Sequence, residues 1–199
     1  MRASAVVMQG WTCSSKTLQT GCAPGMDEQV VLVDSDDREI GQEDKLAAHQ
    51  RGVLHRAFSV FVLDDRGRML LQRRAPDKYH SGGLWSNACC GHPRPGEAVG
   101  EGARRRLREE MGFDCPLEPA FVFTYEADVG SGLCEHEVDH VLIGRFNGRP
   151  TPDPAEADAW RWATVTDLAR DVLHEPDHYT AWFKIAFERL RLSGSGEGR

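Results

Sequence analysis

Three histidines and a pair of glutamates are the side chains here with the clearest chemical promise. His49 and His55 flank the start of an apolar run in AAHQRGVLHRAF, His92 stands in SNACCGHP, and Glu135 and Glu137 bracket a histidine in EHEVDHVL. In an extended strand residues i and i+2 share a face, so Glu135 and Glu137 point together while His136 points away. Three imidazoles and two carboxylates make a mixed nitrogen and oxygen site suited to Zn²⁺, Mn²⁺ or a similar divalent ion. Taken singly, each histidine reads as a surface or satisfied side chain, and the two glutamates as decoration on a solvated strand. The pattern gains meaning only if the fold brings all five together.

The stretch GHPRPGEAVGEGARRRLREEMGF, from Gly91 to Phe113, adds further acids and cations. Glu110 offers oxygen to a hard ion such as Mg²⁺, which keeps several positions for substrate phosphates. Glu109 reads equally well as an exposed residue paired with Arg105 at i, i+4. Lys45, Arg74, Lys78 and Arg106 are the candidate phosphate cations, because a guanidinium fork matches phosphate oxygens. For Lys45 and Lys78 alone, solvated charge is the simpler reading. The formal charge of −7 argues against broad nucleic-acid binding, so an anionic substrate needs such a local cluster of cations.

The elements that must position these groups follow from hydrophobic pattern and turn chemistry. A first apolar run, Gln29 to Asp34, leads into the Ser35-Asp36-Asp37 turn, and Asp44 to Gln50 has helical character. Ala57 to Leu63 predicts a strong strand, with a turn through Gly67 and a second strand from Arg68 to Gln72. Arg73 to Gly91 predicts mostly loop. Ala98 to Met111 predicts a helix, closed by Gly112 in a left-handed cap. Strands are expected over Ala120 to Ala127, Glu135 to Phe146 and Ala159 to Ala163. Helices follow over Thr164 to Leu173 and Thr180 to Leu192, the last with Trp182, Ile185, Ala186 and Arg189 on one stripe. Strands mixed with helices and no βαβ regularity predict an α+β sandwich, a three-layer α/β/α arrangement with a mixed central sheet.

With 199 residues and 40% apolar content the chain can bury one sizeable core. The expected division is a disordered extension over 1–25, one domain over 26–192 and a disordered tail over 193–199. No apolar run reaches 18 residues, and the N-terminus makes a poor signal peptide. Six cysteines, at 13, 22, 89, 90, 115 and 134, show no regular framework and are expected as free thiols. A cytoplasmic monomer is therefore expected, with a small-molecule substrate, no nucleic-acid partner and no membrane insertion.

The spacing from Gly91 to Phe113 resembles the Nudix box, G-x5-E-x7-R-E-U-x-E-E-x-G-U with U a bulky apolar residue. Gly91, Glu97, Arg105, Leu107, Glu109, Glu110, Gly112 and Phe113 fall in register, and Arg106 stands where the pattern has its first helical glutamate. With AAH…LHRAFSVFVLD, RRAPDK, NACCGHPRPGE, RRRLREEMG and EHEVDHVL in this order, the chain resembles the type I isopentenyl diphosphate isomerases over roughly Val30 to Leu190. The resemblance implies interconversion of isopentenyl and dimethylallyl diphosphate. It implies Cys90 and Glu137 as the catalytic thiol and carboxylate, Tyr125 as the hydroxyl on that glutamate, and Trp182 as the indole facing the allylic carbons. It further implies a metal site at His49, His55, His92, Glu135 and Glu137, holding Mn²⁺ or Zn²⁺. A Mg²⁺ ion on the substrate diphosphate would sit at Glu110 and the carbonyl of Cys90, with Lys45, Arg74, Lys78 and Arg106 as phosphate ligands.

His49 and His55 stand six apart where the family has seven, so the turn between them must be tighter or the first ligand displaced. Two other readings compete. An ordinary Nudix hydrolase would need a glutamate at 106 and have no use for Cys90. A catalytically dead Nudix fold could serve as a metal-stabilised interaction module.

Overall fold

The computed structural model describes residues 28–194, so the expected extension over 1–25 lies outside the described residues. The chain runs β1 (Gln29–Val33), β2 (Glu39–Asp44), α1 (Lys45–Arg51), β3 (His55–Leu63), β4 (Arg68–Arg74), β5 (Trp85–Ser86) and β6 (Cys89–Gly91). It continues through α2 (Val99–Met111), β7 (Leu117–Gly130), β8 (Leu133–Arg145), β9 (Ala157–Thr164), α3 (Val165–His174) and α4 (Ala181–Gly194).

β3 is the axis of the sheet. Its run HRAFSVFVL is buried along nearly its whole length, the pattern of a strand covered on both faces. β8 lies parallel to it from His55↔Glu137 to Leu63↔Arg145 and so takes one entire edge. The other edge is shared among β1 at Leu32↔His55, β6 from Phe58↔Gly91 to Val60↔Cys89, and β4 at Leu63↔Met69. β7 extends the sheet beyond β8, and β9 beyond β4.

Alternation along β3 divides the core into two layers. Phe58, Val60 and Val62 pack against Ala103, Leu107 and Met111 of α2. Phe61 faces the other way, toward Leu168 of α3 and Trp182, Phe183, Ala186 and Phe187 of α4. Helices therefore cover both faces of a mixed sheet, the expected α+β sandwich.

The segment Arg73 to Gly91 is mostly loop, as expected, with the short strands β5 and β6 set into it and β4 running on to Arg74. Two expectations need correction. α4 extends through Gly194, two residues into the expected tail. Its buried stripe is Trp182, Phe183, Ala186 and Phe187, while Ile185 and Arg189 are only partly buried.

Capping residues set the ends of two helices. Asp44 caps α1 by accepting from the Ala47 N–H at 3.0 Å, and Gly52, at φ 62°, ends it in a left-handed cap. α2 ends in the same way at Gly112, φ 72°.

Candidate active site

α1 and β3 deliver the first two histidines. Because the Gly52 cap turns the chain back at once, His55 begins β3 just after the helix, and both rings are fully buried with centroids 4.9 Å apart. Six positions apart, the two rings still meet, and His49 joins the cluster. His49 Nδ1 lies 2.6 Å from the Lys45 carbonyl and His55 Nδ1 lies 2.7 Å from the Val53 carbonyl. A carbonyl only accepts, so each Nδ1 donates and each Nε2 is left facing the cluster.

β8 and the chain after β6 complete the cluster. His92 Nε2 lies 3.0 Å from Glu137 Oε1 and 3.2 Å from His55 Nε2. One ligand atom from each of His49, His55, His92 and Glu137 falls within 4.8 Å of the others, and His49, His80 and Glu135 form a second such trio. The Nε2 of His49 and the Nδ1 of His92 are buried with no hydrogen-bond partner among the described residues. Burial pushes His80 down to about 3 and His92 to about 4, and lowers His49, so these imidazoles are neutral. Neutral rings with inward nitrogens beside an ionised carboxylate fit a divalent cation.

Glu135 and Glu137 share a face of β8, as the i, i+2 reading requires, and His136 points away to the Gly52 carbonyl at 3.0 Å. The Tyr125 hydroxyl lies 2.8 Å from Glu135 and 2.7 Å from Glu137. One hydroxyl proton cannot serve two carboxylates. Burial and the neighbouring Glu137 charge push Glu135 well above the usual carboxylate range. Burial also works against charge on Glu137, but its imidazole neighbours outweigh it and Glu137 stays ionised. The pair lacks positive charge, which a cation would supply.

β6 explains why one of two adjacent thiols reaches the cavity. Asn87 holds this short strand by donating to the Cys89 carbonyl at 2.6 Å and the Val60 carbonyl at 3.2 Å. Successive residues then face opposite sides. Cys89 enters the α2 core with its Sγ 3.5 Å from Glu110, while Cys90 lines the cavity with Tyr125, Glu135, Glu137 and Trp182. Burial pushes the Cys90 thiol far above its ordinary range, so it keeps its proton. Trp182 is anchored by its indole N–H on Ser86 Oγ at 2.9 Å, with the Arg74 guanidinium over its ring at 5.3 Å.

The same cavity is lined by all four expected phosphate cations. Lys45 pairs with Glu28 at 2.8 Å, and Lys78 with Glu156. Arg106 meets Glu109 at 2.8 Å, Glu110 at 3.0 Å and Glu156 at 3.1 Å. Arg74 donates weakly to the His80 carbonyl at 3.4 Å, and its Nε is buried without a hydrogen-bond partner among the described residues. Glu110 is buried, receiving the Gln72 amide at 2.9 Å. The expected Arg105–Glu109 pair forms at 3.3 Å, and Arg105 also clasps Glu97 at 2.8 Å.

Sequence reasoning missed His80, Glu28 and Glu156. His80 sits in DKYHSGG, directly after one of the motif segments, and a fourth histidine near such a cluster was a usable signal. Nothing in the sequence around Glu28 or Glu156 marked either.

The NUDIX domain model matches residues 53–183. An isopentenyl-diphosphate Delta-isomerase 2 from Aromatoleum aromaticum is 54% identical over 175 residues, covering 86% of this chain and 93% of that protein. An isopentenyl-diphosphate Delta-isomerase from Burkholderia multivorans is 54% identical over 167 residues, covering 84% and 95%. The chain belongs to the isopentenyl-diphosphate Delta-isomerase family. Among solved structures, a Deinococcus radiodurans protein shares the fold with a TM-score of 0.68 at 20% identity, covering 81% of this chain and 98% of that one. Membership in the isopentenyl-diphosphate Delta-isomerases gives a context to Arg106, which departs from the hydrolase box yet lines the same cavity as Cys90. No helix among the described residues is long and apolar enough to cross a membrane.

Proposed function

We propose that this protein interconverts isopentenyl diphosphate and dimethylallyl diphosphate. Moving the double bond requires a proton added to the terminal alkene carbon and another removed from the carbon two bonds away. The intermediate stage has tertiary carbocation character, which water would trap, so the cavity must be dry. The observation that carries the reading is a thiol, Cys90, and a carboxylate, Glu137, lining one cavity together with the four cationic side chains Lys45, Arg74, Lys78 and Arg106.

Cys90 and Glu137 form the acid and base pair. One gives its proton to the alkene, the other takes the proton released, and the roles exchange in the reverse direction. Tyr125 steadies Glu137 through its hydroxyl. Trp182 walls the hydrocarbon and presents an aromatic ring to developing positive charge. Lys45, Arg74, Lys78 and Arg106 hold the diphosphate. A divalent ion, Mn²⁺ or Zn²⁺, held by His49, His55, His92, Glu135 and Glu137 would keep Glu137 ionised, while Mg²⁺ at Glu110 and the Cys90 carbonyl would screen the phosphates. Arg106 brings a cation where a hydrolase would bring a metal ligand, which speaks against hydrolysis.

One chain completes the cavity, which supports a monomer as the working unit. The free thiols Cys89, Cys90, Cys115 and Cys134 suit a reducing cytoplasm. Incubation with isopentenyl diphosphate and Mg²⁺ should yield the allylic isomer. Release of phosphate or pyrophosphate without the isomer would overturn this reading.

A further inference from the structure

The stretch from Thr151 to Ala157, which plays no part in the chemistry above, ties together the two elements that carry cations. Its backbone reaches the end of α2 first: Thr151 N–H donates to the Met111 carbonyl and Asp153 N–H to the Glu110 carbonyl, each at 2.9 Å. It then reaches the end of β4, where Ala75 N–H donates to the Glu156 carbonyl at 2.9 Å. Glu156 N–H closes a turn on the Asp153 carbonyl at the same distance. The approach to α2 is close enough that a Cβ at Gly112 would stand 2.5 Å from the Thr151 carbonyl oxygen. Only glycine leaves room there.

From this pinned backbone the Glu156 side chain spans two cations on different elements. One carboxylate oxygen takes the ammonium of Lys78, which sits between β4 and β5. The other lies 3.1 Å from Nη2 of Arg106 on α2. All three side chains are about four-fifths buried, at 20%, 22% and 20% exposure for Glu156, Lys78 and Arg106, and all three line the active cavity. Burial opposes charge on Glu156, but Lys78 and Arg106 outweigh it and hold its carboxyl below the usual range.

We propose that Glu156 is a positioning residue that sets Lys78 and Arg106 as a spaced pair for a diphosphate. Without it Arg106 keeps Glu109 and Glu110, but Lys78 has no other carboxylate at ion-pair distance among the described residues. Repulsion from Arg106 would swing Lys78 away, and ordering it would fall on the binding step. The carboxylate cancels that repulsion beforehand. Its own charge also weakens the attraction of the pair for any anion. The two effects separate by ligand, because a diphosphate engages both cations at once and needs their spacing, whereas a monophosphate is served by one.

The test is Glu156→Gln, of the same shape, with Kd for inorganic pyrophosphate and for orthophosphate measured by calorimetry in Mg²⁺. Pyrophosphate should bind about tenfold more weakly, while orthophosphate stays within about twofold or tightens. Glu156→Asp, which keeps the charge but is one methylene short of spanning both cations, should lose pyrophosphate binding in the same way. In a Lys78→Met background the further cost of Glu156→Gln should shrink to about twofold or less. Pyrophosphate binding that tightens or stays unchanged would make Glu156 a competing or idle anion. Equal weakening of both ligands would make its role merely structural. Either result overturns the proposal. The substrate's identity rests on the isomerase reading, but pyrophosphate binding does not require turnover. A wild-type chain that fails to isomerise, yet shows this pyrophosphate loss on substitution, would sink the isomerase reading and leave the positioning role intact.

Discussion

At the histidine end of the cavity, buried acceptors face one another with too few donors; at the phosphate end, three of four cations already hold a carboxylate. His49 Nε2 has no hydrogen-bond partner among the described residues, and Glu135 and Glu137 both lie on the one Tyr125 hydroxyl. Lys45, Lys78 and Arg106 are paired, and only Arg74 meets no carboxylate at ion-pair distance among the described residues. The difference teaches which end needs a permanent guest. A cluster of buried lone pairs is costly until a cation fills it, whereas a balanced set of salt bridges is stable alone and can exchange partners when an anion arrives. The histidine end should hold its ion through purification. The phosphate end should take Mg²⁺ only with substrate.

The sharpest break of that comparison is Glu137→Gln, which removes a ligand and the ionised carboxylate together. Turnover should fall by about 10⁴-fold, while elemental analysis still finds part of the bound transition metal on the remaining ligands. Full activity on Mg²⁺ alone, in protein stripped of transition metal, would erase the distinction between the two ends.

Cys90→Ala comes next, with turnover lower by about 10³-fold, set against Cys89→Ala, which should retain a substantial fraction. Only Cys90 faces the cavity, and Cys89 sits in the α2 core. Losses in the reverse order would mean that the wrong thiol has been assigned.

The smallest effect belongs to the balanced end. Glu110→Gln should leave the tightly held metal in place and raise the Mg²⁺ and substrate concentrations needed for half-maximal rate by roughly tenfold. Loss of the co-purifying transition metal in this variant would show that both ends share one ion.

Local rules made much of this legible. The i, i+2 rule placed Glu135 and Glu137 on one face, and Gly112 announced the end of α2. The cavity's thiol, tyrosine and indole were reachable only through the family resemblance, since Cys90 alone reads as an inert buried thiol and Trp182 as a core aromatic. What stayed hidden has physical reasons. β5 and β6 span two and three residues, too few for any periodicity to register, and they exist because β3 and β4 supply waiting edges. The burial of Phe183 and Phe187 reflects how α4 lies across Phe61 and Tyr179, a rotation that helical spacing alone leaves open. Glu156 lies in PDPAEAD, which reads as a polar turn, and its importance comes entirely from two cations distant in sequence.

The parallel register of β3 with β8 also governs how the molecule must assemble. No hairpin can join these strands, and 80 residues separate Ser59 on one from its hydrogen-bonded partner Asp139 on the other. Such long-range pairing is paid for in loop-closure entropy before contacts reward it, so it forms late and slowly relative to local hairpins. His55 and Glu137 lie directly opposite each other across that same boundary. During synthesis, the α1 and β3 histidines emerge long before their carboxylate partner exists, and the complete chelate appears only once β8 docks. Assembly of the histidine and glutamate cluster is thereby tied to the docking of β8, and a misregistered β8 would part Glu137 from the three histidines.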